Sequence, residues 1–419
     1  MNSRERVLAT INHQQPDRVP IDLGATGQTG ISASTLYKLR VALGLEQHPV
    51  HVSEIYQMLG EVEEDLLQKI GADVIGINSP VDLLGCKSTG KKPFFMSDGT
   101  PVLIGDKLEY EICKDGSIHM YPQGDRTVPP SAKMPAGGFF FDNIDRVTEF
   151  DEDNLTPTED FKDSFSIMTE EDAKFIEQRS IHLFENTEYG IIGNLGGAGF
   201  GDSALVPGPY EKHPKGIRRF DDWLMAHLIF PDYIKEVYEM QTQVMLKNLE
   251  IYRQAVGNRI QIIWISGTDF GTQNGAFYSN ETFRELYKPY YKRINDWVHK
   301  NTEWKTFYHT CGSVVDYLDD FVDMGMDILN PVQLSAKDMD ACMLKEKYGD
   351  KLTFWGGGVD TQATLPFGTP DQVYKQVLER LDILSKNGGY VFSAIHNIVA
   401  KTPIENLIAM FDAVHHFNA

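Results

Sequence analysis

Short apolar runs with strand character alternate along most of the chain with longer stretches in which apolar residues recur at helical spacing. The first run, 18–23 (Arg-Val-Pro-Ile-Asp-Leu), is stopped by Gly24. Similar runs follow at 73–77, 190–194, 260–266, 305–309, 326–330, 352–356 and 389–394. Amphipathic helix patterns are clearest at 232–256, 281–301, 313–324, 336–347, 371–387 and 403–417. A short helix is expected over 3–13, ending before Pro16. Strands alternating with helices imply parallel βαβ units. Eight of them predict a closed (β/α)8 TIM barrel, with a doubly wound sheet as the structural alternative.

The rhythm breaks between 85 and 150. Asp98-Gly99 and Asp115-Gly116 sit between alternating segments such as Glu109–Ile112 and Ser117–Tyr121. Such dipeptides mark hairpin turns, because glycine readily adopts positive φ. The expectation is a β-rich insertion after the second strand of a single domain spanning 1–419. That length exceeds the usual single core, but barrels carrying inserted segments reach it.

Composition is that of an ordinary soluble globular chain, with 42% hydrophobic and 24% charged residues. The net charge of −21, without a dense Lys/Arg cluster, argues against nucleic-acid binding. Cys86, Cys113, Cys311 and Cys342 are irregularly spaced and include no CxxC pair. Neither a disulfide framework nor a structural zinc module is indicated. The charged, helix-like start does not read as a signal peptide, and no apolar run is long enough to span a bilayer. A reducing cytoplasm and no membrane partner are expected. Self-association is compatible with this reading.

Two glycine motifs fall short of nucleotide sites. Gly85–Lys92 approaches a phosphate loop, but Lys92 stands where the magnesium-binding hydroxyl belongs and Pro93 follows. Gly199-Phe-Gly201-Asp-Ser-Ala204 resembles a dinucleotide turn, but Leu-Val-Pro-Gly-Pro follows it in place of a helix N-terminus. A solvated turn and a loop at a barrel mouth are the better readings. No G-x-S-x-G elbow or H-E-x-x-H helix occurs.

The sharper signal is Tyr308-His309-Thr310-Cys311-Gly312. Residues i and i+2 of a strand point to one side, so His309 and Cys311 would project together from the barrel face that carries active sites. Imidazole and thiolate suit zinc, and a catalytic site needs three protein ligands plus an open position. His396, just past the last strand, is the best third candidate. Cys342 reads as a residue packed in a helix face. Asp269, after the fourth strand, could be a ligand, an orienting group, a substrate contact or a plain loop cap. Asn330 and Gln333 follow the sixth strand, and Asp360 and Gln362 follow the Gly356–Gly358 run after the seventh. Asp360 and Gln362 read equally well as turn residues or as part of a site.

The motifs Ser3–Ala9, Pro16–Asp22, His309–Gly312, Asp327–Gln333, Phe354–Thr361 and His396–Ile398 with Thr402–Asn406 resemble the uroporphyrinogen decarboxylase superfamily. The likeness is specifically to its corrinoid-dependent methyltransferase-like branch. It runs over nearly the whole chain, least clearly in 85–185, and implies a barrel. It also implies zinc bound through an H-x-C pair, matched by His309 and Cys311, and a later cysteine. His396 stands at that later position. Imidazole in place of thiolate makes a less anionic shell and a stronger Lewis acid, which favours taking a methyl group from a donor. The resemblance therefore implies a zinc methyltransferase acting on a small O-methyl or N-methyl compound, with His309, Cys311 and His396 as ligands. Asp269, Asn330 and Asp360 would orient substrate or metal shell. No D-x-H-x-x-G corrinoid signature is present, so the corrinoid would arrive on a partner protein. A methylcorrinoid:thiol methyltransferase and a decarboxylase-like lyase are the alternatives. The lyase is disfavoured because Asp22–Gly30 lacks the arginines that a polycarboxylate would need.

Overall fold

The computed structural model describes residues 1–419. Its central element is a curled sheet of seven strands: Val74–Ile77, Gly190–Gly193, Ile262–Ser266, Lys305–His309, Ile328–Asn330, Thr353–Trp355 and Tyr390–Val391. Each pairs in parallel with the next along the chain. Strand order never reverses, so the sheet lacks the switch point that defines a doubly wound fold. The expected first strand, 18–23, is reduced to one parallel bridge, Ile21 with Phe392. Its backbone still meets both sheet edges. Asp22 N donates to Phe392 O (2.9 Å) and Phe392 N to Pro20 O (2.9 Å), while Asp73 N donates to Ile21 O (2.8 Å). Pro20 has no amide hydrogen to extend the ladder.

Alternation divides the strand residues between two apolar layers. Val74, Ile192, Ile262, Phe307, Ile328, Trp355 and Val391 form an inner cluster with Val7 and Ile11 of the helix Ser3–Ile11. The intervening Ile191, Ile263, Tyr308, Leu329, Phe354 and Tyr390 face the outer helices. The largest of these, Pro231–Val256, begins with proline at a position where a missing amide hydrogen costs nothing. His309 lies two residues beyond Phe307 and so rises directly above the inner cluster. No helix is long and apolar enough to cross a membrane.

One buried carboxylate ties the opposite end together. Asp73 is fully buried and accepts from Arg6 Nη1 (2.6 Å), Arg18 Nη1 (2.8 Å), Ser3 Oγ (2.8 Å) and Ile21 N (2.9 Å). The N-terminal helix, the segment before Ile21 and the strand Val74–Ile77 thus share one charge centre.

Between Ile77 and Gly190 lie hairpins where the Asp-Gly turns predict them. Lys91–Phe95 pairs antiparallel with Pro101–Gly105, and Tyr110–Ile112 with Ile118–Met120. Gly99 and Gly116 both have φ of +81°. Two four-stranded sheets result, one of them shared with Val50–Glu54 and Leu59–Gly60, which the sequence pattern did not predict.

Some helices differ from expectation. The span 281–301 is two helices, Asn280–Leu286 and Lys288–Asn301, because Pro289 cannot continue the hydrogen-bond ladder. Of 313–324, only Leu318–Asp323 is α-helical, preceded by a 3₁₀ turn at Val315–Tyr317. Of 336–347, helix begins at Ala341, where Asp340 caps by accepting Met343 N at 2.8 Å. Cys342 is exposed, not packed, because Ala341, Leu344 and Tyr348 form the buried face.

Asp73→Ala should cost about 3 kcal/mol in urea unfolding, since it removes the buried acceptor of Arg6, Arg18, Ser3 and the Ile21 amide and leaves Arg6 paired with Asp17 alone. A loss no larger than that of Arg18→Ala would contradict the shared-charge reading. Asp22 supplies a pH test. Burial pushes its carboxyl up to about 6, against the opposing hydrogen bond from Trp355 Nε1 at 2.8 Å. The folded state then holds this proton more tightly than the unfolded chain, so the stabilising contribution is complete in acid and lost as pH rises through about 6. Asp22→Asn should remove about 3 kcal/mol of that decline. An unchanged slope of stability against pH would count against it.

Candidate functional site

His309 ends its strand and Cys311 follows two residues later, while His396 arrives from the loop after Tyr390–Val391. One donor atom from each of the three lies within 4.8 Å of the others. Cys311 Sγ is 3.3 Å from His309 Nε2, and the two imidazole rings are 5.2 Å apart between centroids. The three residues proposed as ligands from the sequence therefore converge at one strand-end cluster.

Strand register fixes which nitrogen of His309 is available. Parallel pairing places Asn330 directly beside His309. Asn330 Nδ2 donates to the carbonyl of Trp355 at 3.0 Å, and a carbonyl can only accept. The Asn330 Oδ1 atom consequently faces His309 Nδ1, at 2.6 Å, and must receive its proton. Nε2 is left as a lone pair aimed at Cys311. An imidazole whose second nitrogen is engaged in this way is the usual form of a metal ligand.

Cys311 is placed by its backbone. Its amide donates to Asp269 Oδ1 at 2.6 Å, and the amide of Gly312 donates to Gln333 Oε1 at 2.7 Å. Gly312 has φ of +85°, and a Cβ there would sit 2.3 Å from the Gly271 carbonyl. The chain can turn beneath the hairpin at 271–276 only because no side chain intervenes. Asp269 Oδ1 is also 3.8 Å from His309 Nε2, which sets this half-buried carboxylate at the edge of the cluster.

Burial governs the electrostatics. Desolvation pulls His309 down to about 4, against its bond to Asn330. His396 falls to about 4 for the same reason, with His309 contributing. Burial holds the Cys311 thiol well above its ordinary range, and the Asp269 carboxylate adds to this. Asp269 is itself raised by burial. With no cation, every member of the cluster is driven toward its neutral form.

The donor set fits zinc. Two ligands of a tetrahedral ion with Zn–S of about 2.3 Å and Zn–N of about 2.0 Å lie about 3.5 Å apart. The observed S···N distance is close to that. A bound cation would displace the thiol proton.

Asp360 lies elsewhere in the loop architecture. Its Oδ1 accepts the amides of Gln362 (2.7 Å) and Ala363 (3.3 Å), so the carboxylate caps the turn before Thr364–Phe367. Gln362 in turn bonds Gln273, joining this loop to the hairpin over Cys311. Sequence reasoning missed Asp202, a half-buried carboxylate pushed up to about 7 by burial, with Asp269 contributing. Its signal was an acid at the end of a glycine run after a strand. It also missed Asn397, whose side chain ties the loop at Gly27–Gly30 beside His396. A cavity of about 340 Å3 is separate from this cluster. It lies between Asn78, Asn194, Phe165, Trp223, Tyr238 and Met245, and its walls include none of the three clustered residues.

The strand order and the site together define an α/β fold of the kind found in barrel enzymes. Residues 212–417 match the family model for Uroporphyrinogen decarboxylase (URO-D), a stretch that contains His309, Cys311, His396, Asp269, Asn330 and Asp360. The resemblance to that superfamily is thus borne out over this part of the chain. Among solved structures, a methyltransferase from Methanosarcina mazei superposes over 100% of both chains, with a TM-score of 0.54 and 17% identity. At that identity the likeness speaks for the fold. No curated protein matches the chain.

Nitrogen NMR of chelator-treated protein at neutral pH should find His309 protonated on Nδ1. Asn330→Leu should release it to a mixture of tautomers. A wild-type ring protonated on Nε2 would contradict the assignment.

Proposed function

We propose that this chain is a zinc-dependent methyltransferase that moves a methyl group from a small O-methyl or N-methyl compound to the cobalt of a separate corrinoid protein. The supporting observation is the convergence of His309 Nε2, Cys311 Sγ and His396, with Asn330 holding the first as a lone pair. These three side chains would hold zinc. Bound zinc would supply a Lewis acid at the donor's heteroatom. Asn330 and Asp269 keep the ligands in place, one through the imidazole tautomer and the other through the Cys311 amide. Asp360 orders the loop that reaches Gln273 through Gln362.

Transfer of the methyl carbon would break its bond to the donor's heteroatom, and an ether oxygen or a neutral amine nitrogen would then need a proton. Asp202, with a carboxyl near neutrality beside Asp269, is the proton donor we assign. The surrounding scaffold is read as an eight-stranded barrel closed by the segment at Ile21, with 85–150 inserted after its second strand. A cytoplasmic location fits free thiols at all four cysteines.

The family match also favours a lyase. Against it, the mouth offers Asp202 and Asp269 where a polycarboxylate would need guanidinium groups, and Asp22–Gly30 has no cation.

A co-assay with a reduced corrinoid protein, across a panel of O-methyl and N-methyl compounds, should show methyl-cobalt absorbance with at least one donor. His309→Ala should lower that rate by at least about 100-fold and reduce bound zinc. Bound zinc without methylation of cobalt by any donor would overturn the methyltransferase reading. A metal-free protein that decarboxylates would favour the lyase.

A further inference from the structure

We propose a second zinc site, formed by Glu111, Cys113 and His119 on the hairpin Tyr110–Met120. Pairing places Glu111 directly opposite His119, and Cys113, two residues beyond Glu111, projects to the same side. One donor atom from each of the three lies within 4.8 Å of the others, and Cys113 Sγ is 3.8 Å from Glu111 Oε1. The turn is built before any ion arrives. Cys113 N donates to Ser117 O (2.8 Å) and Gly116 N to Cys113 O (2.9 Å), while Asp115 Oδ1 accepts the amide and hydroxyl of Ser117.

Two observations point to a cation as the ligand of this cluster. His119 Nε2 is shielded from solvent and has no hydrogen-bond partner, an expensive state for an imidazole nitrogen. Glu111 is held by Arg126 through its other oxygen, Oε2, at 3.2 Å, which leaves Oε1 turned toward Cys113. A nitrogen, a sulfur and a carboxylate oxygen are the donors zinc accepts, with water completing four-coordination. Lys133 follows His119 in the same cross-strand row, and its charge should keep affinity moderate. The arrangement is a clip across the neck of one hairpin, built from strands other than those that carry His309, Cys311 and His396.

Metal analysis of the full chain and its variants separates the two sites. Wild type should bind about two zinc ions per chain, and Cys113→Ser/His119→Ala about one. His309→Ala/Cys311→Ser should retain the hairpin ion. With cobalt in that second variant, thiolate-to-metal absorption from Cys113 should persist, and it should vanish on adding Cys113→Ser. Lys133→Met should tighten hairpin binding several-fold in a chelator competition. If Cys113→Ser/His119→Ala binds as much zinc as wild type, the hairpin site is wrong. If wild type binds one ion that only the hairpin variant loses, the hairpin site stands and the barrel-mouth zinc fails.

Discussion

The hydrogen bond from His309 Nδ1 to Asn330 Oδ1 is the contact on which the site depends. It exists because two parallel strands are paired in one register and no other. A slip of one residue would turn Asn330 outward and place Leu329 beside the imidazole. The register is in turn set by the inner layer, where Phe307 and Ile328 pack one step below. Core packing, strand pairing and imidazole tautomer are therefore one continuous constraint. Asn330 also anchors the next strand, through the Trp355 carbonyl, so three neighbouring strands converge on a single nitrogen lone pair.

The second constraint is the cost of burying charge. His309, His396, Cys311 and Asp269 are all shifted toward neutrality by desolvation. A divalent cation would reverse the balance, since it favours both the thiolate and the carboxylate that burial suppresses. The same reasoning marks Asp73 as structural. Its charge is met by Arg6 and Arg18 at the opposite end of the sheet.

Much of this was legible in the sequence, for identifiable reasons. Seven strands followed from apolar runs, because a strand covered on both faces has no polar positions to obscure it. His309, Cys311 and His396 could be grouped because strand ends in a barrel share one face. Asp202 was hidden, since its position near Asp269 comes from a loop folding back, which no local pattern records. Cys342 read as buried because helical spacing locates a stripe but not which side of it meets the core. The break in 281–301 was announced by Pro289, yet the apolar periodicity running across it concealed the stop. Asp360 read equally well as a turn residue or as part of a site, and its carboxylate engages two backbone amides.

X-ray absorption at the zinc edge, on Cys113→Ser/His119→Ala protein so that only the barrel mouth contributes, tests the His309, Cys311 and His396 assignment directly. The expected shell is one sulfur at about 2.3 Å and two imidazole nitrogens at about 2.0–2.1 Å. A shell without sulfur, or one with a single imidazole, would contradict it.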